Sequence, residues 1–149
     1  MKVETYVSEI KVTYSPGDLT KRPKIRHSID AYNIFRASWD PGLIQYIEQF
    51  KILLLSKGNN VIGLLHISTG GVSSTVVDPK LIFGAALSVN ASGFVLCHNH
   101  PSGSLSPSKE DIKCTVKIVA GAKLFDMVVF DHLIINHLSY FSMMEKELL

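Results

Sequence analysis

Between Phe94 and Asp111 the chain reads FVLCHNHPSGSLSPSKED, an apolar run ending in two histidines separated by one residue, then a proline, a loop of small polar residues and a helix start. In an extended strand alternate side chains share a face, so His98 and His100 project together beyond Phe94 and Leu96 while Cys97 points the other way. Pro101 biases His100 away from helical backbone and keeps its ring beside that of His98. Ser106-Pro107-Ser108 then has the chemistry of a helix N-terminus, with an apolar face expected on Ile112, Val116, Val119 and Ala120 and a stop at Gly121. Asp111 falls in the first turn of that helix. A loop of this length can fold the helix start back over the strand end, which sets one carboxylate beside two imidazoles. Catalytic zinc takes three such protein ligands, with bonds of about 2.0 to 2.2 Å to nitrogen and oxygen, and leaves a fourth position for water.

Each member also has an ordinary reading. Ser108-x-x-Asp111 fits a capping box in which Asp111 serves only backbone amides. Two histidines near a strand end can be partly buried residues without further duty. The conjunction points to a metal: His-x-His-Pro, ten residues between His100 and Asp111, and a serine three places before the aspartate. A Cys-His zinc site through Cys97 and Cys114 is disfavoured, because alternation turns Cys97 away from both histidines.

Upstream, Ser28 can cap a short helix whose Ala31, Ile34 and Phe35 share one face. Asp40-Pro41 and Asp78-Pro79 each pair an N-cap with proline at the first helical position. The helix from Pro41 turns Leu43, Ile44 and Ile47 inward and gives way near Glu48 to the run Phe50 to Leu55, which suits a buried strand. Lys57-Gly58-Asn59-Asn60 supplies turn chemistry, and Val61 to Ile67 returns as a second strand, so the pair reads as a hairpin. Gly70-Gly71 turns the chain into a third strand, Val72 to Val77, and the helix from Pro79 ends by Gly93. Residues 3–14 alternate β-branched and aromatic with polar residues and read as an N-terminal strand. Ser15 to His27 reads as a solvated connector carrying Lys21, Arg22, Lys24 and Arg26. No aromatic side chains interleave with those charges, so a flexible linker is favoured over a phosphate-binding arm.

The 149 residues, 46% hydrophobic, suffice for one proper core, so residues 1–27 are expected to lead into one globular domain spanning 28–149. A formal charge of +2 points to neither nucleic acid nor a membrane surface. The longest aliphatic run, Ile52 to Leu55, falls far short of the roughly 20 apolar residues of a membrane helix, and the N-terminus lacks signal-peptide organisation. A cytoplasmic location is expected, with Cys97 and Cys114 kept as thiols.

The pattern His98-x-His100-Pro101 through Ser108-x-x-Asp111 resembles the JAMM (MPN, JAB) signature. His98-Asn99-His100-Pro101-Ser102-Gly103, with Asp131-His132-Leu133-Ile134-Ile135, Glu48-x-Phe50 and Ser68-Thr69-Gly70-Gly71, looks like the RadC branch of that superfamily. The resemblance covers about Ser28 to Leu149 and implies an α/β fold, a mixed β-sheet flanked by helices in a cytidine deaminase-like layout. The helix-hairpin-helix region of many RadC proteins finds no room in these residues, so a DNA role would rest on resemblance and the basic connector alone. The resemblance also implies that Glu48 handles the proton of the zinc-activated water and that Ser108 donates to the oxyanion of a tetrahedral intermediate. Their ordinary readings are a surface acid late in a helix and a helix cap.

The expected function is therefore zinc-dependent hydrolysis of an amide or isopeptide bond in a peptide or protein substrate. The alternative is a non-hydrolytic module that keeps zinc for stability and binds a protein or DNA partner. A deaminase is disfavoured, since such enzymes need His-x-Glu and a later Pro-Cys-x-x-Cys. His132, beside Asp131 at a strand turn, is either a group that orients a ligand or a satisfied structural histidine. His27, His66 and His137 have no partner in the sequence.

Overall fold

A computed structural model of the chain describes residues 6–149. Its elements run α1 (Ser28–Ser38), β1 (Gln49–Leu55), β2 (Val61–Thr69), α2 (Pro79–Ser88), β3 (Gly93–Asn99), α3 (Lys109–Leu124), β4 (Val128–Ile135) and β5 (Tyr140–Ser142). They form one five-stranded mixed sheet in the order β2-β1-β3-β4-β5, in which only the β3–β4 pair is parallel. The expected hairpin is the antiparallel pair β1–β2, closed where Asn59 adopts a positive φ of 60°.

Both faces of the sheet are covered, which is why β1 and β3 read as continuous apolar runs and are buried along their whole length. On one face Leu53, Leu55, Val95, Cys97 and Leu133 pack with Ala31 and Phe35 of α1 and with Trp39 and Ile44. On the other, Phe50, Ile52, Leu54, Phe94 and Leu96 pack with Ile82 and Ala86 of α2 and Ile118 and Ala122 of α3. The alternation along β3 is the expected one, with Cys97 on the α1 side.

Several local expectations give way to packing. Residues 6–14 are exposed and join no strand, and the rest of that expected strand lies outside the described residues. The connector is not loose throughout: Ile25 is buried, its amide donates to the Asn59 carbonyl, and the Val61 amide donates to Pro23. Asp40 does cap the backbone after it, accepting the Gly42 amide, but only turns follow Pro41. There the carbonyls of Ile44 and Ile47 accept from the Asn99 side chain. Val72 to Val77 forms no ladder; it is held against the end of β2 as a loop, because the Gly71 amide donates to Ser74 and the Thr75 hydroxyl donates to Ser68. A Cβ on Gly70 would collide with the Ser74 backbone. α3 runs past Gly121, where the missing side chain makes room for the Phe83 ring rather than ending the helix. Its buried stripe is Thr115, Ile118 and Ala122, while Val116, expected inside, is 60% exposed.

Candidate metal centre

β3 ends at the site. Its central place puts His98 opposite Phe50 of β1 and Ile134 of β4, and leaves no solvent exposure on the ring. The Phe50 ring lies nearly parallel to that of His98, at 6.0 Å between centroids and 6° between planes. His100 follows one residue beyond the strand. Its carbonyl accepts the Gly103 amide, closing the Pro101-Ser102 turn with Gly103 at φ 84°, a conformation that favours glycine. That turn delivers the Ser104 carbonyl to the His100 ring, 2.9 Å from Nδ1.

Asp111 is both cap and site residue. The Ser108 amide donates to its Oδ2 at 2.7 Å, while the Asp111 amide donates to Ser108 Oγ at 3.0 Å, so the capping box exists. The same carboxylate lies 3.2 Å from Nε2 of His98 through Oδ1 and 3.4 Å from Nε2 of His100 through Oδ2. The two Nε2 atoms are 3.0 Å apart. A tetrahedral ion with bonds of about 2.0–2.2 Å holds its ligand atoms roughly 3.3–3.6 Å from one another. One ligand atom from each of the three residues lies within 4.8 Å of the other two, a gathering that such an ion can draw together, and they are of the nitrogen and oxygen types that zinc accepts. His98, His100 and Asp111 could hold a metal ion.

The charges fit a cation position. Burial pushes the Asp111 carboxyl upward, but its contacts with His100 and His98 outweigh that and hold it far below the usual carboxylate range. The Asp111 contact raises His100 against the opposing effect of its burial. Glu48, 6% exposed, is raised by desolvation, which outweighs the attraction of His98 and His100. Its backbone is pinned on both sides, the Glu48 amide donating to Gly71 and its carbonyl accepting from Gly70, and the Thr75 main chain favours the charged form of its carboxyl against that burial. Glu48 thus sits buried at the entrance to β1 rather than as a surface acid late in a helix.

These groups share one cleft of about 880 Å³, lined by Glu48, Phe50, His98, His100, Ser108, Asp111 and His132, with Val72, Thr75 and Val77 along one wall and Lys113, Cys114 and Lys117 along α3. Cys97 and Cys114 are free thiols. Burial raises both, Cys97 faces the α1 core, and the group of described residues that could hold a metal includes neither.

Three residues outside the His-x-His…Asp pattern surround the centre, of which only His132 was singled out in the sequence. Asn99, between the two histidines but on the opposite face, is fully buried; its Oδ1 accepts the Gln49 amide at 2.7 Å and its Nδ2 donates to the Ile44 and Ile47 carbonyls. It ties the segment carrying Glu48 to the histidine strand. A polar residue inside an otherwise apolar buried strand was the available signal. Thr115 and His132 complete the set. His132 lies inside β4, not at a strand turn, with Nε2 2.8 Å from His98 Nδ1 and Nδ1 2.6 Å from Thr115 Oγ1. Burial and the neighbouring His98 hold its pKa well below the ordinary histidine range. Its neighbour Asp131 points away, accepting from the hydroxyls of Ser28 and Ser142, so Ser28 anchors α1 instead of capping it. His66 is exposed and contacts Thr69.

An α/β sheet covered by helices on both faces, with two histidines and an aspartate converging at the end of its central strand, is the JAB/MPN-type arrangement. The model of the family described as the RadC-like JAB domain matches residues 25–148, and the chain belongs to that family. It is 39% identical over 129 residues to a UPF0758 protein of Flavobacterium johnsoniae, covering 87% of this chain and 55% of that one. A UPF0758 protein of Clostridium novyi is 37% identical over 139 residues, covering 89% of this chain and 61% of the relative. One from Alkaliphilus metalliredigens is 40% identical over 102 residues, covering 68% and 44%. The chain thus spans about half the length of the curated relatives it matches. Family and site together fit a metal-dependent function of the JAB type. Among the described residues, no helix is long and apolar enough to cross a membrane.

Proposed function

We propose that this domain is a zinc-dependent hydrolase of amide or isopeptide bonds in a peptide or protein substrate, working in a reducing compartment such as the cytoplasm. The observation that carries the reading is Glu48: a buried carboxylate opening into the same cleft as the three donors. A site with three protein ligands keeps a position for water, and zinc there supplies Lewis-acid polarisation and lowers the pKa of water to about 7. Glu48, raised by burial, takes a proton from the attacking water and returns it to the leaving nitrogen. Ser108 Oγ accepts from the Asp111 amide, which leaves its own proton to donate toward the substrate oxygen where negative charge develops. The cap and the oxyanion role are thus compatible in one hydroxyl.

The test is Glu48→Gln in the zinc-loaded protein, assayed on a panel of peptide and isopeptide substrates. Zinc content should stay at the wild-type level while turnover falls by two orders of magnitude or more, the scale of a lost general base. Turnover that survives in the variant would overturn the role of Glu48. A wild-type protein that takes zinc, cleaves nothing and captures a partner would favour the non-hydrolytic module.

A further inference from the structure

We propose that Thr115 and His132 are positioning residues, which through the hydrogen-bond chain Thr115–His132–His98 fix His98 in the tautomer whose Nε2 lone pair faces Asp111 and His100. This rests on the metal-site reading given above and adds to it the groups that prepare one of the ligands.

The proton count follows from the partners. Thr115 Oγ1 lies 2.7 Å from the carbonyl of Asp111, one turn back in α3. A carbonyl can only accept, so the single hydroxyl proton goes there. His132 Nδ1, 2.6 Å from the same oxygen, must then be the donor. Among the described residues the His132 ring nitrogens meet Thr115 and His98 alone, with no carboxylate in hydrogen-bonding contact, and the residue is 1% exposed, so it is neutral and carries one N–H. Its Nε2 is therefore an acceptor. The His98 Nδ1 at 2.8 Å has to donate to it, which leaves His98 Nε2 bare toward the other two donors. A metal-ligating histidine ordinarily has its second nitrogen fixed by such a partner. His100 reaches the same state by a different route, its Nδ1 donating to the Ser104 carbonyl. Only the His98 route runs through side chains, and it can be cut by substitution. Thr115 also holds the main chain of Asp111, so one hydroxyl bears on two of the three donors.

The experiment compares Thr115→Val, which keeps the shape and removes the oxygen, with Thr115→Ser, which keeps the oxygen. Zinc affinity is measured by chelator competition, alongside melting of the metal-free proteins. Thr115→Val should bind zinc 10- to 100-fold more weakly, the usual effect of losing a group behind a ligand, and Thr115→Ser should stay close to wild type. A Thr115→Val protein that melts earlier but binds zinc as wild type does would reduce the chain to a structural role and overturn the proposal. Nitrogen NMR of histidine-labelled, zinc-loaded wild type gives a reading that needs no variant: His98 and His132 should both carry their proton on Nδ1, and a proton on Nε2 of His132 would also overturn it. If wild type takes up no zinc, the metal-site reading falls and the proposal with it; if wild type binds and Thr115→Val binds equally, only the proposal falls.

Discussion

Ser108 and Asp111 hold each other twice, the Ser108 amide donating to Asp111 Oδ2 and the Asp111 amide donating to Ser108 Oγ. The box starts α3 and at the same time fixes a carboxylate that touches both histidines, so capping and ligation are one arrangement read from two sides.

That overlap separates under substitution. Asp111→Asn keeps a side-chain oxygen for the Ser108 amide, whereas Asp111→Ala removes it. Urea denaturation of the metal-free proteins should show the alanine variant destabilised by about 0.5–2 kcal/mol relative to the asparagine one, the worth of a capping contact. Both should lose most of their zinc affinity, because neither offers an anionic oxygen.

Asn99 predicts a larger structural loss. Asn99→Ala strands the Gln49 amide and the Ile44 and Ile47 carbonyls in a buried place. Leaving such groups unsatisfied costs about 1–3 kcal/mol each at most, with relaxation and water recovering part, so a loss of roughly 2–4 kcal/mol is expected in denaturant titration. Asn99→Leu, which also removes the bonds, should fare no better.

The metal-free protein should have a stability window set by Asp111 and His100. The Asp111 carboxyl is depressed below its ordinary 3.8, so its contribution is present above that value and lost as the pH falls through the folded one. His100 is raised above its ordinary 6.5, so its contribution is complete below 6.5 and lost as the pH rises through the folded one. Their joint contribution should therefore be greatest between about pH 4 and 6.5, as melting against pH would show. Zinc must displace the His100 proton, so its affinity should fall as the pH drops through the raised value, by about tenfold per pH unit for each proton displaced.

Gly70 tests the loop that reaches Glu48. Gly70→Ala drives a Cβ into the Ser74 backbone, next to Thr75, whose main chain favours the charged form of the Glu48 carboxyl. Stability should fall by more than 1 kcal/mol, as steric strain on backbone commonly costs, and proteolysis should open the segment around residues 72–77 first.

The convergence of His98, His100 and Asp111 and the β1–β2 hairpin were legible in the sequence because each rests on short-range chemistry: strand alternation, a proline, a turn, a helix start. What was not legible depends on distant partners. Asp40 and Pro41 carry a sound helix signal, yet Asn99 claims the carbonyls that a helix would have used. The buried side of α3 eluded an apolar-face reading because Thr115 and Asp111 lie on it, polar residues that meet His132 of β4 and the histidines at the end of β3. His132 looked like a turn residue until the parallel register of β4 set it opposite Leu96, behind His98. Val72 to Val77 has the composition of a strand and no ladder to join.

The central claim is that His98, His100 and Asp111 hold one metal ion. Zinc content and chelator-competition affinity, measured on wild type and on the His98→Ala, His100→Ala double variant, test it most directly. The account predicts one tightly held zinc per wild-type chain and none in the double variant, and equal zinc content in the two proteins would contradict it.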